Sequence, residues 1–269
     1  MMQRIVPFVD HEIGYRLLQK LISHAAAGRF EISAVVTTRE NGNAWWPSVD
    51  EICIKENIPL LMYEVPFSAD YLIRQPDWLL LLSWKHIIPD ELISLPKRGV
   101  LNLHYSLLPA IRGVYPVNWA IINGERSTGF TYHFVNEKID DGEIFMQIEV
   151  PMHLSDTART LQSRLDDVVC DHFNELVDRL LTYNLEGRIT EPRNKLDATS
   201  DYYSRIKFEK TCLIDLNRNY QGTEFFNLLR GLTFFEDSKN AYVIDSETGR
   251  KIFITLNLRE EPSYKTNLK

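Results

Sequence analysis

Short apolar runs alternate with amphipathic segments along the first hundred residues. Five apolar runs predict strands at Arg4–Val9, Phe30–Thr38, Pro59–Tyr63, Trp78–Leu82 and Val100–His104. Apolar residues at helical spacing predict helices between them at His11–Ile22, Val49–Glu56 and Asp90–Leu95. Strands that alternate with helices favour right-handed crossovers and a mostly parallel, twisted sheet flanked by helices. We therefore expect an α/β fold whose ligands bind beyond the carboxyl ends of the strands.

The pattern changes after the Val100–His104 strand. Ser127–Val135 and Glu143–Val150 are typical of neighbouring strands, joined by the acidic turn Glu137–Gly142. A long helix then starts at a cap provided by Ser155 or Asp156. Its buried face carries Leu161, Leu165, Val168, Val169, Leu176, Val177 and Leu180. We expect the adjacent acids Asp166 and Asp167 to lie on its solvated face.

The last third of the chain predicts a small appended subdomain. The polar stretch Tyr183–Ala198 is typical of a linker. A helix at Thr223–Leu232 precedes two strands, Ala241–Ile244 and Lys251–Leu256, which form a hairpin through the Ser246–Gly249 turn. We expect a main domain over residues 1–185, a linker over 186–200 and a helix-plus-hairpin subdomain over 201–269.

Composition and charge disfavour several classes of protein. The chain has 269 residues and a net charge of −7, which disfavours general binding to nucleic acid or to an anionic membrane. Its three cysteines, Cys53, Cys170 and Cys212, are scattered, so neither a disulfide framework nor a metal site is expected. No leader or membrane-spanning run is visible, which indicates a cytoplasmic protein. No GxGxxG or GxxxxGK[ST] loop follows the first strand.

Polar residues that could take part in catalysis lie at or just past the end of the Val100–His104 strand. Asn102 and His104 are two residues apart on a strand, so both side chains can enter one pocket. An amide donor beside an imidazole suits the oxyanion of an acyl transfer, and Asp140 can orient the imidazole and hold a water that relays protons. Spacing alone leaves the plainer alternatives open: a structural histidine, an acidic turn at Asp140-Asp141-Gly142 and a loop steered by Ser106-Leu-Leu-Pro109.

The same segment resembles the 10-formyltetrahydrofolate-dependent formyltransferases. The resemblance rests on Asn102-Leu-His104-Tyr-Ser106-Leu-Leu-Pro109, Arg112-Gly113, Pro116, Trp119-Ala120, Gly124, Gly129, Thr131 and Asp140-Asp141-Gly142. It covers some forty residues and includes the N-x-H…S-L-L-P…D-x-G pattern. It implies a Rossmann-like formyltransferase fold, with Asn102, His104 and Asp140 as the catalytic residues and Asp141 at the variable position.

The resemblance also implies where the folate and the acceptor bind. The family holds the pterin with the loop after the strand that precedes the N-x-H strand, opposite the turn over residues 135–140. The residues implied for the folate are Ser83, Trp84, Lys85, His86, Ile88, Asn136 and Asp140. Those implied for the acceptor are Tyr105, Ser106, Arg112 and His133. Arg112 and His133 have structural roles as alternatives, and no metal is implied.

The acceptor is inferred from what surrounds this segment. Phe8-Val9-Asp10-His11-Glu12 replaces the phosphate loop expected for glycinamide ribonucleotide, and a short tail with acids among its bases disfavours tRNA. The chain is similar to nucleotide-sugar N-formyltransferases acting on dTDP-4-amino-4,6-dideoxyglucose, with 3-amino isomers as alternatives. This implies a homodimer serving surface polysaccharide (lipopolysaccharide O-antigen) synthesis. Alternative hypotheses are a methionyl-tRNA formyltransferase with a reduced tail, a deformylating hydrolase and a non-catalytic folate- or nucleotide-binding module.

Overall fold

A computed structural model of the protein describes residues 2–38, 48–64, 67–68, 70, 72, 74–183 and 201–261. The linker predicted over residues 186–200 lies outside them. The chain forms two compact units, each assembled from three segments. Unit 1 comprises Met1–Arg112, Gly129–Ile148 and Asp166–Asp201, and unit 2 comprises Gly113–Thr128, Glu149–Leu165 and Tyr202–Lys269. The domain boundary expected near residue 185 stays a prediction.

The described residues fold into alternating strands and helices. The strands are β1 (Arg4–Val9), β2 (Glu31–Ile32), β3 (Val35–Thr37), β4 (Leu60–Met62), β5 (Trp78–Leu82), β6 (Gly99–His104), β7 (Arg112–Gly113), β8 (Ser127–Phe134), β9 (Ile144–Pro151), β10 (Tyr202–Tyr203), β11 (Ala241–Ile244) and β12 (Lys251–Ile254). The α-helices are α1 (His11–Ala26), α2 (Val49–Lys55), α3 (Asp90–Ser94), α4 (Pro116–Ile122), α5 (Ala158–Thr182), α6 (Arg205–Thr211) and α7 (Gly222–Gly231).

The central sheet is mostly parallel, as the sequence predicts. Its strand order is β4-β3-β1-β5-β6-β8-β9, with β2 also paired to β1. The pairs of β1 with β2, β3 and β5, and those of β3 with β4 and β5 with β6, are parallel, whereas β8 runs antiparallel to β6. The predicted strand Phe30–Thr38 is in fact two short strands, because β2 pairs with the start of β1 and β3 with its end.

Apolar side chains of the central strands fill two clusters, one on each face of the sheet. On β5, Trp78, Leu80 and Leu82 enter the cluster that includes apolar residues of α1 and α5. The intervening Leu79 and Leu81 enter the other cluster. All five residues of β5 are buried, as expected for a strand covered on both faces. This burial fixes the register of β5 and therefore the position of its carboxyl end.

Two predictions about the long helix are wrong. The helix begins at Ala158, and Thr157 caps it by accepting a hydrogen bond from the Thr160 N–H at 3.3 Å, so neither Ser155 nor Asp156 is the cap. Asp166 is not on a fully solvated face, because its carboxylate accepts a hydrogen bond from the Tyr105 hydroxyl at 2.5 Å.

Unit 2 includes α4, α6, α7 and the β11–β12 hairpin. The sequence patterns predict α7 and the hairpin but neither α4 nor α6. Helices α4 and α7 approach closely, since the Asn118 side chain donates to the Gly231 carbonyl at 2.7 Å and a Cβ at Gly231 would lie 2.8 Å from the Asn118 carbonyl. None of the helices in the described ranges combines the length and the apolar character needed to cross a membrane.

Candidate active site

Strands β6 and β8 bring the main candidate residues together. Their antiparallel register places Asn102 opposite His133 and His104 opposite Thr131. Leu101 and Leu103 point into the cluster beneath α1 and α5, so the alternation of β6 sends Asn102 and His104 to the opposite face. The apolar pattern of β6 therefore aims both polar side chains at one place.

His104 is buried and held by a single backbone acceptor. Its Nε2 lies 2.9 Å from the Ile111 carbonyl oxygen, which can only accept, so Nε2 carries the proton. The other ring nitrogen, Nδ1, lies 3.6 Å from the Asp140 carboxylate. Burial lowers the pKa of His104 below its ordinary value, although Asp140 opposes that shift. The resting imidazole is neutral, with the Nδ1 lone pair directed toward the site.

His133 orients Asn102. Its Nδ1 lies 2.9 Å from the Phe134 carbonyl oxygen, which assigns the proton to Nδ1 and leaves Nε2 as an acceptor. Asn102 Nδ2 donates to that Nε2 at 3.1 Å. One amide N–H of Asn102 is thereby engaged, and the second remains for a ligand oxygen. Tautomer and amide orientation both follow from this hydrogen bonding.

The two adjacent acids have different surroundings. The Asp140 carboxylate lies 3.6 Å from both His104 Nδ1 and His133 Nε2, whereas Asp141 accepts from Arg112 at 2.7 Å. The backbone of Asp140 is left-handed, with φ 51°. The Arg112 pair holds Asp141 away from the imidazoles, so Asp140 is the acid beside His104.

Gly142 is required for a reason that the sequence does not reveal. The left-handed residue of the turn is Asp140, and the tight contact at Gly142 is with the preceding strand. A Cβ at Gly142 would lie 1.6 Å from the Phe134 carbonyl oxygen, a distance that no side chain tolerates. Gly142 therefore serves close packing of the turn against β8, which places Asp140 over the β6 residues.

The segment from Ser106 to Ile111 forms a loop that supports His104. The Ser106 hydroxyl donates to the Ala110 carbonyl at 2.7 Å, and Thr131 Oγ1 donates to the Ser106 carbonyl at 2.6 Å. Gln147 Nε2 contacts Thr131 Oγ1 at 2.8 Å and the Leu108 carbonyl at 2.9 Å. Ile111 adopts φ 55°, a costly conformation for a β-branched residue. The sequence patterns single out neither Gln147 nor the Ile111 carbonyl, because backbone acceptors leave no residue signature.

The predicted acceptor residues lie around this cluster, largely engaged with protein groups. The Tyr105 hydroxyl bonds Asp166, Ser106 is buried and bonded to its own loop, and Arg112 pairs with Asp141. His133 is buried beneath Asn102. The structure thus shows what each side chain contacts in the chain, and their roles in acceptor binding stay predictions.

The predicted folate loop follows β5 and begins at Ser83, which is left-handed with φ 63°. Trp84 lies edge-on to Tyr63, with ring centroids 5.0 Å apart, and His86 lies 5.3 Å from Tyr63. The Trp84 indole N–H is buried and has no hydrogen-bond acceptor among the described residues. Ile88 is buried in the second apolar cluster, whereas Ile87 is 81% exposed. The rings of Tyr63, Trp84 and His86 lie beside the Trp84 N–H, which has no acceptor among the described residues. This arrangement suits a flat heterocycle such as a pterin.

The other wall predicted for the pterin is less enclosed. Asn136 is exposed, and its side-chain oxygen accepts from the Lys138 N–H at 2.9 Å. In the loop after β5, Lys85 forms an ion pair with the buried Asp10 at 3.5 Å.

Within the described ranges, no group of three or more His, Cys, Asp or Glu side chains is arranged to hold a metal ion.

Family profiles match two separate parts of the chain. The profile described as formyl transferase matches residues 62–177, and one described as N-formyltransferase dimerization C-terminal domain matches residues 207–260. The first match includes Asn102, His104 and Asp140, and the second includes α7 and the hairpin. The fold and site thus define an α/β protein with an Asn–His–Asp cluster at the end of a central strand.

Curated relatives place the chain in a family. The bifunctional polymyxin resistance protein ArnA of Wigglesworthia glossinidia brevipalpis is 31% identical over 273 residues, which cover 98% of this chain but 39% of that protein. The methionyl-tRNA formyltransferase of Geobacter sulfurreducens is 30% identical over 239 residues, covering 86% of this chain and 72% of the relative. The chain belongs to the formyltransferase family, which confirms the resemblance seen in the sequence.

Solved structures share the fold. A sugar N-formyltransferase from Shewanella sp FDAARGOS_354 superposes with a TM-score of 0.77 at 23% identity, covering 97% of this chain and all of that one (100%). An N-formyltransferase from Helicobacter canadensis, in complex with folinic acid and dTDP-3-aminofucose, gives a TM-score of 0.61 at 21% identity, covering 87% and 81% of the two chains. At these identities the likeness establishes the fold, and the predicted fold class is confirmed.

Proposed function

We propose that this protein transfers a formyl group from N10-formyltetrahydrofolate to the amine of a nucleotide-linked amino sugar. The observation that carries the proposal is the cluster in which the neutral His104 imidazole faces Asp140 across 3.6 Å beside the Asn102 amide. Amide, imidazole and carboxylate are the groups that acyl transfer to an amine requires.

His104 is the proton acceptor in this proposal. Because Nε2–H is committed to the Ile111 carbonyl, only Nδ1 can take a proton from the attacking amine. The amine nitrogen forms a bond to the formyl carbon and loses its proton to Nδ1. The resulting imidazolium lies beside the Asp140 carboxylate, which stabilises its positive charge. A water held by Asp140 relays the proton to N10 as the bond between carbon and N10 breaks.

Asn102 stabilises the charge that develops on the formyl oxygen. Its amide N–H that is not bonded to His133 donates to this oxygen, and protonated His104 supplies a second donor. Loss of one such donor typically costs about 10²–10³-fold in kcat. His133 keeps Asn102 in the donating orientation before the substrate arrives, so the rearrangement needed in the transition state is small.

The formyl donor is assigned to the loop after β5. Ser83, Trp84, Lys85 and His86, with Ile88 beneath them, would hold the pterin, and Asn136 and Asp140 would face it from the β8–β9 turn. The buried indole N–H of Trp84, which has no acceptor in the part of the chain that the structure describes, supports this assignment. The folate supplies the activated one-carbon group, and the chain supplies binding and proton handling.

A sugar acceptor is supported by the solved neighbours and by charge. Structures with this fold include sugar N-formyltransferases, and one of them holds dTDP-3-aminofucose. We propose a dTDP-linked amino-dideoxy sugar, dTDP-4-amino-4,6-dideoxyglucose first and 3-amino isomers second, used for surface polysaccharide. Tyr105, Ser106, Arg112 and His133 would contact or support the acceptor. The protein would act as a cytoplasmic homodimer.

Incubation with 10-formyltetrahydrofolate and a panel of dTDP- and UDP-linked amino sugars tests the proposal. Mass spectrometry should detect one added formyl group on at least one acceptor, and Asn102→Ala should reduce that product by about 10²-fold or more. A panel without any product would refute a sugar acceptor. Formate release without acceptor would indicate a hydrolase, and folate binding without turnover would indicate a binding module.

Methionyl-tRNA is the second candidate acceptor, because relatives at 30% identity carry that activity in their names. The net charge of −7 opposes it, since tRNA binding draws mainly on basic surface. Binding to initiator tRNA that weakens steeply with salt, together with formylation of its methionine, would favour this acceptor over the sugar.

A further inference from the structure

Unit 2 contains a groove whose lining shares no residue with the Asn102–His104–Asp140 site. It encloses about 390 Å³ between α4, α6, α7 and the segment that joins α6 to α7. Proteins hold small ligands in cavities of about 300–1,000 Å³. The groove is therefore large enough for a ligand of nucleotide size.

Basic side chains from two elements converge on this groove. Lys207 and Lys210 lie one turn apart on α6, and Arg218 follows in the segment after α6. The Lys207 ammonium lies over the rings of Tyr203 and Trp119, at 4.2 Å and 5.2 Å from their centroids. These cation–π contacts hold the Lys207 charge in place before any ligand arrives.

The charge within the groove is unbalanced. Among the described residues that line the groove, Glu224 is the one acid, and it pairs with Arg218. Neither Lys207 nor Lys210 has a carboxylate partner among the described residues. A local excess of positive charge in a chain of net charge −7 is a feature that attracts a compact anion.

The rest of the lining is apolar or aromatic. Ile122 of α4 and Leu228 of α7 face the groove. The Tyr220 ring also lines it, tilted 37° against Phe225 with centroids 5.0 Å apart and with the Arg218 guanidinium 4.6 Å from its centroid. Such a surface can pack against the base and sugar of a nucleoside, but it adds nothing to the binding of an inorganic anion. We propose that the groove binds a nucleoside diphosphate, with its phosphates at Lys207 and Lys210 and its nucleoside against Ile122, Tyr220 and Leu228.

Calorimetric titration of the full-length protein with dTDP tests this binding site. Lys207→Met/Lys210→Met removes the charges but keeps the apolar stems, and Lys20→Met/Lys55→Met is the matched control on unit 1. The groove variant should bind one dTDP fewer per chain than the wild type and the control. Inorganic pyrophosphate should bind the groove at least tenfold more weakly than dTDP, and thymidine should not bind detectably.

The stoichiometry separates this inference from the proposed function. If dTDP also occupies the acceptor site, the number of dTDP molecules bound per chain falls from two in the wild type to one in the groove variant. If the acceptor site does not bind dTDP, that number falls from one to zero. Equal counts for wild type and groove variant overturn the inference, as does a groove variant that instead changes the oligomeric state. Lys207→Arg/Lys210→Arg keeps both charges and should bind dTDP in the groove as the wild type does. That result would exclude misfolding as the cause of the loss in the methionine variant.

Discussion

Individual side chains at the site carry distinct tasks, and the two adjacent acids show it most clearly. Asp140→Asn removes the carboxylate beside His104, so kcat should fall by about 10²–10⁴-fold with the fold intact. Asp141→Asn weakens partly exposed pairs with Arg112 and Lys138 and should cost less than about tenfold. Steady-state kinetics of both variants measure the difference. A larger loss in Asp141→Asn would reverse the assignment.

Burial of His104 should make stability depend on pH. The unfolded chain takes up a proton at this residue near the ordinary pKa of about 6.5, whereas the folded chain does not until a lower pH. The free energy of unfolding should therefore be at its plateau above about pH 6.5 and fall as pH drops toward the folded-state pKa, by at most about 1.4 kcal/mol per pH unit from this group.

Urea unfolding of the wild type and of His104→Asn between about pH 7.5 and pH 5 measures this contribution. The variant should show the shallower pH dependence, and His153→Asn, at an exposed position, should behave like the wild type. Parallel curves for wild type and His104→Asn would mean that burial does not control this titration.

Sequence patterns locate the site better than they describe it. Asn102 and His104 can be predicted because a strand of known direction places residues two apart on one face. The Ile111 carbonyl, which fixes the His104 tautomer, cannot be predicted because its position depends on a left-handed backbone. Helical spacing alone predicts Asp166 in solvent, because that spacing contains no information about Tyr105, which directly follows strand β6.

Among the elements, the β8–β9 turn depends on a single missing Cβ. Gly142→Ala would place that atom against the Phe134 carbonyl, so the turn must move and Asp140 with it. We expect a loss of activity of at least about tenfold and a destabilisation of about 1–3 kcal/mol. Gly222→Ala is the matched control, since its Cβ would meet nothing within 4 Å. Thermal melting and kinetics of both variants test this role of Gly142. Equal melting temperatures and equal activities for the two variants would contradict it.

Arg230 of α7 stabilises a loop rather than a helix. The side chain is 4% exposed, and its guanidinium donates to the carbonyls of His153, Leu154 and Asp156 and to Asn227. Arg230→Met removes the donor from the buried Asp156 carbonyl and from the two part-buried carbonyls, which should cost on the order of 3 kcal/mol. Arg250→Met, at an exposed position, should cost less than about 0.5 kcal/mol by chemical denaturation. Similar denaturation midpoints for the two variants would show that water can replace the hydrogen bonds of the Arg230 guanidinium.

The elements that escaped prediction are the short ones. Helix α4 spans seven residues and starts with Pro116, and the preceding Tyr115 gives it no side-chain cap, so it lacks the usual start signal apart from the proline. Helix α6 also spans seven residues, with few apolar positions to reveal a period. The long helix α5 and the buried strand β5 could be predicted because tertiary burial gives them an unbroken apolar pattern.

At the scale of the whole molecule, the exposed hairpin fits the dimerization profile that matches residues 207–260. Ile252 and Phe253 are adjacent on β12, so they point to opposite faces, yet they are 52% and 42% exposed. We expect a homodimer by light scattering, and Phe253→Asp or Ile252→Asp should yield a monomer. Ile54→Asp changes a residue of α2 that is 79% exposed and should leave the dimer unchanged. A wild-type monomer would remove the role assigned to the hairpin.

The assembly of unit 2 from three stretches of chain limits how this protein can be recombined with its relatives. The tail after residue 201 packs on residues that come much earlier, as Asn118 of α4 does on Gly231 of α7. A chimera that exchanges only the tail would keep α4 and residues 149–165 from one parent and their packing partners from the other. Exchanging unit 2 between family members with its packing intact should therefore require three segments, 113–128, 149–165 and 202–269, moved together.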